Sequence, residues 1–306
     1  MINTMVSFYE NPAFGQVKLV TSNESRDIYT ERVRSSWVPD PEVFLAIELL
    51  KNSDGQVLDL GANIGTWCLP VCLGSKKKVV AFEALPDNVT LLKEAINKNM
   101  LNGDVKVIDC AIWDCDTDLN FRGTSAYGTV NPDGKLRVAA RSLDSLYEEG
   151  NINNPSLIKI DIEGCELRAI EGGRRFLKSL PDIIFEGNGA HGVAQGYFPQ
   201  DIVALLEDMG YHLYMIVKGL LIPVNRKTFQ PFGLINYLAT RKSLRSLKSF
   251  KLGHLKPETV EERVTIALTK MNPRYARFMK LQLEKGTFEI SESVSRIIEM
   301  SGVSSA

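Results

Sequence analysis

The chain has 306 residues, 44% apolar and 24% charged, with a formal net charge of −1. That composition fits one large α/β domain plus an appendix, and it excludes a low-complexity or fibrous chain. Five cysteines without Cys-x-x-Cys spacing imply no zinc or disulfide framework, and with no signal peptide and no apolar run of about 18 residues visible the expectation is a cytoplasmic protein without a membrane span.

Residues 1–36 are mixed and polar, with β-like pieces such as Gln16 to Val20, and predict a hairpin or lid. Asp40 and Pro41 are a good N-cap and first helical residue. Val43, Phe44, Ile47 and Leu50 recur at helical spacing, which predicts a helix from Pro41 to Lys51. A strand over Val57 to Leu60 follows, then a helix from Ile64 to Leu73. Lys78 to Phe82 and Val105 to Asp109 read as strands around a helix opened by Pro86. Asp118 to Phe121 and Leu136 to Ala140 read as an extra β pair around a loop at 123–134. Next come a short helix (Ser142 to Glu148), a strand (Leu157 to Ile160), a helix (Glu166 to Leu180) and a strand (Asp182 to Glu186). A helix from Pro199 to Met209 ends at Gly210, and Tyr211 to Val217 and Leu234 to Ala239 are the last strands. Strands alternating with helices imply a mostly parallel, doubly wound sheet.

The chain is organised around Val57 to Gly65. An apolar strand runs into two glycines, Gly61 and Gly65, where the missing Cβ atoms let backbone N–H groups approach a ligand. The middle position holds Asn63, and Asp59 sits near the strand end. A pyrophosphate prefers donors and no carboxylate at such a turn. The acid suits a ligand with positive charge and no phosphate, which favours S-adenosylmethionine over a dinucleotide. Asp59 is expected to face the ammonium of that ligand, directly or through water. Glu83 closes the second strand, where a carboxylate can accept both hydroxyls of an adenosine ribose. Asp109, or the backbone around Ala111, is placed to meet the adenine.

The segments VLDLGANIG (Val57 to Gly65), AFEALPDN (Ala81 to Asn88) and LIKIDIEGCE (Leu157 to Glu166) resemble the FkbM-type S-adenosylmethionine-dependent methyltransferases. The third segment is the most specific of these, and the resemblance runs from about Trp37 to Thr240. It implies a Rossmann-like, seven-stranded methyltransferase sheet in a three-layer α/β/α arrangement. It also implies, in many members, methylation of a hydroxyl on a sugar or a secondary metabolite. The expected division is an extension at 1–36, the methyltransferase domain at 37–240 and a basic helical appendix at 241–306.

Ligands of open α/β sheets sit beyond the carboxyl ends of the strands. Asp161 therefore lies near the ligand, with Glu163 and Glu166 after it. For Glu166 an N-terminal helix charge is the favoured role. Glu186 to Gly192 follows the next strand as a binding loop. A neutral hydroxyl is a poor nucleophile, so His191, Asp161 or Glu186 must take its proton. A divalent ion on Asp161, Glu186 and Asn188 is the less favoured route.

The segment 241–306 carries thirteen Lys/Arg against seven Asp/Glu. Leu244, Leu247 and Phe250 repeat every third residue there, and three short helices are expected beyond. With one aromatic in its most basic stretch it suits a solvated or oligomer-contacting appendix better than a nucleic-acid platform. The leading expectation is an O-methyltransferase acting on a small-molecule acceptor. Its rivals are an N-methyltransferase, a nucleic-acid methylase and a non-catalytic binding module. The segment after the fourth strand, Asp161-Ile162-Glu163-Gly164, lacks the Asn/Asp-Pro-Pro-aromatic pattern of amino methylases acting on nucleic acid.

Overall fold

The structure, a computed structural model, describes residues 2–197, 199–217, 219–226 and 234–252. A hairpin of β1 (Thr4–Asn11) and β2 (Gly15–Ser22) opens the chain. Val17, Leu19 and Val20 on its inner side are buried, so it continues the core rather than hanging free. In α1 (Ile28–Ser35) the Asp27 carboxylate accepts the Thr30 N–H at 2.8 Å, an N-cap of the usual kind. Then α2 (Pro41–Leu50) carries its proline at the first turn.

The central run is β3 (Gln56–Leu60), α3 (Cys68–Ser75), β4 (Val79–Phe82), α4 (Pro86–Lys98) and β5 (Val105–Ile108). A separate four-stranded sheet follows, of β6 (Ala111–Ile112), β7 (Thr117–Arg122), β8 (Thr129–Val130) and β9 (Leu136–Arg141). The chain returns through α5 (Leu143–Glu148), β10 (Pro155–Ile160), α6 (Glu166–Glu171), β11 (Asp182–Asn188), α7 (Gly189–Ala194) and α8 (Pro199–Asp208). It ends, among the described residues, in β12 (His212–Val217), β13 (Leu220–Val224), β14 (Leu234–Thr240) and β15 (Lys251–Leu252).

The main sheet has nine strands in the order β15-β13-β12-β14-β11-β10-β3-β4-β5. From β11 to β5 neighbouring strands are parallel, and β14 runs antiparallel between β11 and β12. The expected seven strands are thus exceeded by two, β13 and β15, which widen one edge. The alternation of side chains sends Val57, Val79 and Leu157 to a core under α2, α3 and α4. Leu58, Leu60 and Phe82 go to a second core under α5, α6 and α8. The parallel strands are buried on both faces, which is why they read as near-continuous apolar runs.

Three further expectations are corrected. The helix expected from Ile64 starts at Cys68, because Asn63 (φ 51°) and Gly65 (φ 92°) bend the chain first. The helix expected through Leu180 stops at Gly172, and a 3₁₀ turn at Phe176–Ser179 completes the span. Glu186, Gly187 and Asn188 are ladder residues, paired with Asn236, Ile235 and Leu234 of β14, and α7 follows instead of an open loop. After Thr240 the chain forms a 3₁₀ turn (Leu244–Ser246) and then β15, with Leu244 and Phe250 buried in the core. The helices expected beyond, and any oligomer contact through them, lie outside the described residues.

Candidate active site

The turn after β3 is set by close backbone approach. The N–H groups of Gly61 and Ala62 both donate to the Phe82 carbonyl, at 3.0 and 2.8 Å. Gly61 has φ 87°, and a Cβ there would stand 1.9 Å from the carbonyl oxygen of Asp161. Only glycine fits. Asn63 then takes a left-handed conformation, and its N–H donates to Glu83 Oε2 at 2.7 Å. The other oxygen, Oε1, accepts the Leu85 N–H at 2.9 Å and the Asn88 amide at 3.3 Å. Burial pushes the Glu83 carboxyl pKa up, and these donors oppose the rise by stabilising the ionised form.

At the carboxyl-terminal parts of β3, β10 and β11 lies a group of acids with one lysine. Lys159, buried in β10, is the cross-strand partner of Asp59 and donates to Asp161 Oδ2 at 2.6 Å. Burial works against its charge, but Asp161 and Asp59 outweigh that and hold the ammonium protonated. Asp59 is fully buried and its carboxylate oxygens have no ordinary hydrogen-bond partner. Burial lifts its pKa to about 6 against the pull of Lys159.

The segment from Asp161 to Cys165 is held by Glu166. Its Oε1 accepts the N–H groups of Ile162 and Gly164, each at 3.1 Å, and Oε2 accepts the Tyr197 hydroxyl at 2.6 Å. Glu166, an acid in the first turn of α6, is thus also a buried latch. Glu163 has φ 54°, and Gly164 after it has φ 96°, where a Cβ would meet the His191 backbone at 2.6 Å. That tight turn brings Glu163 Oε2 to 2.7 Å from His191 Nδ1. The hydrogen bond from the imidazole to Glu163 raises the His191 pKa. Glu186 has one buried oxygen without a partner. Its pKa is pushed up to about 9 by burial and by Asp161, Glu163 and Glu166.

These elements enclose a cleft of about 360 Å³. Of the expected site residues, Gly61, Asn63, Glu83, Ala111, Asp161 and Glu186 line it together. Four others do not. Asp59 is buried opposite Lys159 and is not in the cleft wall. Gly65 packs instead, with Leu69 and Leu92 at 2.8 Å from the place of its Cβ. Asp109 is half exposed and pairs with Lys93 at 2.8 Å. His191 stands next to the cleft residue Glu163 rather than in the wall. Asn188 belongs to β11 by its backbone, and its side chain lies outside the described part of the structure. Among the described residues no group of three His, Cys, Asp or Glu side chains is placed to hold a metal ion, and no helix is long and apolar enough to cross a membrane.

Sequence reading missed Lys159, Tyr29, Arg32 and Trp67, all in the cleft wall. A signal for Lys159 existed: a lysine inside an apolar parallel strand is buried only when paired. Tyr29 and Arg32 come from α1, remote in sequence from the glycine turn. The Tyr29 hydroxyl and Thr66 Oγ1, 2.7 Å apart, tie α1 to that turn.

The profile of the methyltransferase FkbM domain matches residues 59–213. The hexuronic acid methyltransferase AglP of Haloferax volcanii is 31% identical over 159 residues, covering 51% of this chain. The match spans 62% of that relative's length. Among solved structures, methyltransferase FkbM from Methylobacillus flagellatus is 18% identical with a TM-score of 0.42, over 61% of this chain and 43% of its own. Precorrin-6y C5,15-methyltransferase from Geobacter metallireducens is 16% identical with a TM-score of 0.41, over 68% and 92%. The glycine turn, Glu83 and the Asp161 segment all fall inside the span that the domain profile matches, and on that match the chain belongs to the FkbM methyltransferase family.

Proposed function

We propose that this chain transfers a methyl group from S-adenosylmethionine to a hydroxyl of a sugar or a sugar-like small molecule. The observation that carries the reading is Glu83. Its carboxylate lines the cleft beside the Gly61–Asn63 turn, and Oε2 accepts the Asn63 N–H, with lone-pair capacity left for a ribose hydroxyl. The activity on hexuronic acid of the relative from Haloferax volcanii supports a sugar acceptor.

The wall fits such a donor. Asn63 Oδ1 and Trp67 Nε1 are both buried at the cleft without a partner, one an acceptor and one a donor. Together they suit the ammonium and carboxylate of an amino acid. Gly61, Asn63, Glu83, Ala111 and Asp161 would hold the ligand, whose chemistry is a methyl carbon activated by positive sulfur. The protein's task is then alignment, worth roughly 7–11 kcal/mol of the barrier in favourable cases.

The acceptor proton also needs a destination. Glu186, with its pKa near 9, carries a proton at neutral pH and serves as a hydrogen-bond donor to the acceptor. Asp161 is tied to Lys159 and orients. Glu163 in the cleft, with His191 behind it, takes the proton as a pair. The test is release of S-adenosylhomocysteine in the presence of a hexuronate-containing saccharide. His191→Ala should lower turnover at least about tenfold, or 1.4 kcal/mol, with donor affinity kept. Turnover within twofold of the parent would remove His191 from proton transfer.

A further inference from the structure

Two cations line the cleft among the described residues, Arg32 and Lys159, and they are held very differently. Lys159 is locked at 2.6 Å from Asp161 and buried. Arg32 sits on α1 with a side chain 56% exposed, and its ion-pair partner Asp40 is 3.8 Å away and 60% exposed. At that distance no hydrogen bond is made. The neighbouring Arg34 shows the contrast. Its guanidinium bonds the Ser25 carbonyl, Glu31 and Thr21, and is 9% exposed. One arginine of α1 is therefore structural, and the other presents a weakly engaged planar fork to the cleft.

We infer that Arg32 is a carboxylate receptor for the methyl acceptor, so that the acceptor is an acidic sugar rather than a neutral one. The inference rests on the methyltransferase reading given above. A guanidinium takes a carboxylate through two parallel N–H bonds, which adds geometric selection to charge. The rest of the cleft is rich in acid, with Glu83, Asp161 and Glu163 in its wall. An anionic acceptor is repelled there unless it meets a cation at the entrance. Arg32 also lies outside the matched span 59–213, apart from the residues that the domain profile covers. Its side chain is mostly exposed, whereas Glu83 is buried at the end of β4. The helix that carries it is fastened to both walls, through Tyr29 to Thr66 and through the Thr30 and Ser125 hydroxyls, 3.3 Å apart.

The experiment uses the full chain saturated with S-adenosylhomocysteine, probed by calorimetry with methyl β-D-glucuronide and methyl β-D-glucoside. The parent should bind the glucuronide at least about tenfold more tightly than the glucoside. Arg32→Gln should bring that ratio to about one, and Arg32→Lys should restore part of it. S-adenosylhomocysteine affinity should change by less than about twofold in both variants. Equal binding of the two saccharides by the parent, or binding of neither, overturns the inference, as does a preference kept in Arg32→Gln. A loss of S-adenosylhomocysteine affinity in Arg32→Gln, with 5′-methylthioadenosine affinity unchanged, also overturns it, by assigning Arg32 to the donor's carboxylate. If the parent fails to bind S-adenosylhomocysteine at all, the donor reading fails separately, and the saccharide ratio still decides on Arg32.

Discussion

Glu166→Ala is expected to cost stability and catalysis together, because Glu166 holds the segment that carries Asp161 and Glu163. The side chain is 1% exposed and accepts three hydrogen bonds, from the N–H groups of Ile162 and Gly164 and from the Tyr197 hydroxyl. Truncation leaves three donors without acceptors, two of them buried and the Ile162 N–H partly so. Each such donor costs about 1–3 kcal/mol, less where water enters the cavity to replace the carboxylate. A loss of about 3–5 kcal/mol follows, a large share of the 5–15 kcal/mol that about covers a domain's whole stability. Glu166→Gln keeps a carbonyl oxygen for the two N–H groups and should lose only about 1 kcal/mol. Urea denaturation followed by far-UV circular dichroism reads both, with the denaturant slope unchanged. An alanine variant within about 1 kcal/mol of the parent would show that the three bonds do not hold the segment.

Gly61→Ala places a Cβ 1.9 Å from the Asp161 carbonyl at φ 87°, and relief requires β3 and β10 to part. It should lose about 3 kcal/mol or more, and a melting temperature within about 2 °C of the parent would contradict the close approach. Glu186 keeps its proton up to about pH 9, where the unfolded chain has lost it. Between the ordinary glutamate pKa and that value the folded state binds the extra proton, so rising pH destabilises the ligand-free fold through this group. Thermal melts from about pH 5 to pH 9 should fall less steeply in Glu186→Gln than in the parent, and equal slopes would remove the shift.

The parallel half of the sheet was legible because its strands are apolar on both faces, as at Val57–Leu60 and Leu157–Ile160. That Glu83 stands in the cleft beside the glycine turn was legible, because an acid closing the second strand of such a sheet points to the ends of the strands. What failed did so for physical causes. Pro223 makes Leu220 to Val224 look unlike a strand, yet it lies in β13 near the sheet edge, where a missing N–H is tolerated. The segment from 241 onward was expected to be a basic helical appendix. Leu244 and Phe250 instead reach the core from a 3₁₀ turn and extended chain, which bury side chains without a 3.6-residue period. The pairing of Asp59 with Lys159 was not legible, because the lysine belongs to a strand about a hundred positions away, and pairing across a sheet is invisible along the chain. Arg32 and Tyr29 reach the cleft only because α1 folds back over it, a tertiary event without a local pattern.

The donor site itself is open to one titration: S-adenosylhomocysteine into the parent and into Glu83→Ala, with circular dichroism to show that both are folded. One equivalent should bind to the parent, and about tenfold more weakly to the variant, the 1.4 kcal/mol that losing a charged acceptor of ribose hydroxyls entails. No heat with the parent, or equal affinity in the folded variant, would contradict a donor seated against Glu83.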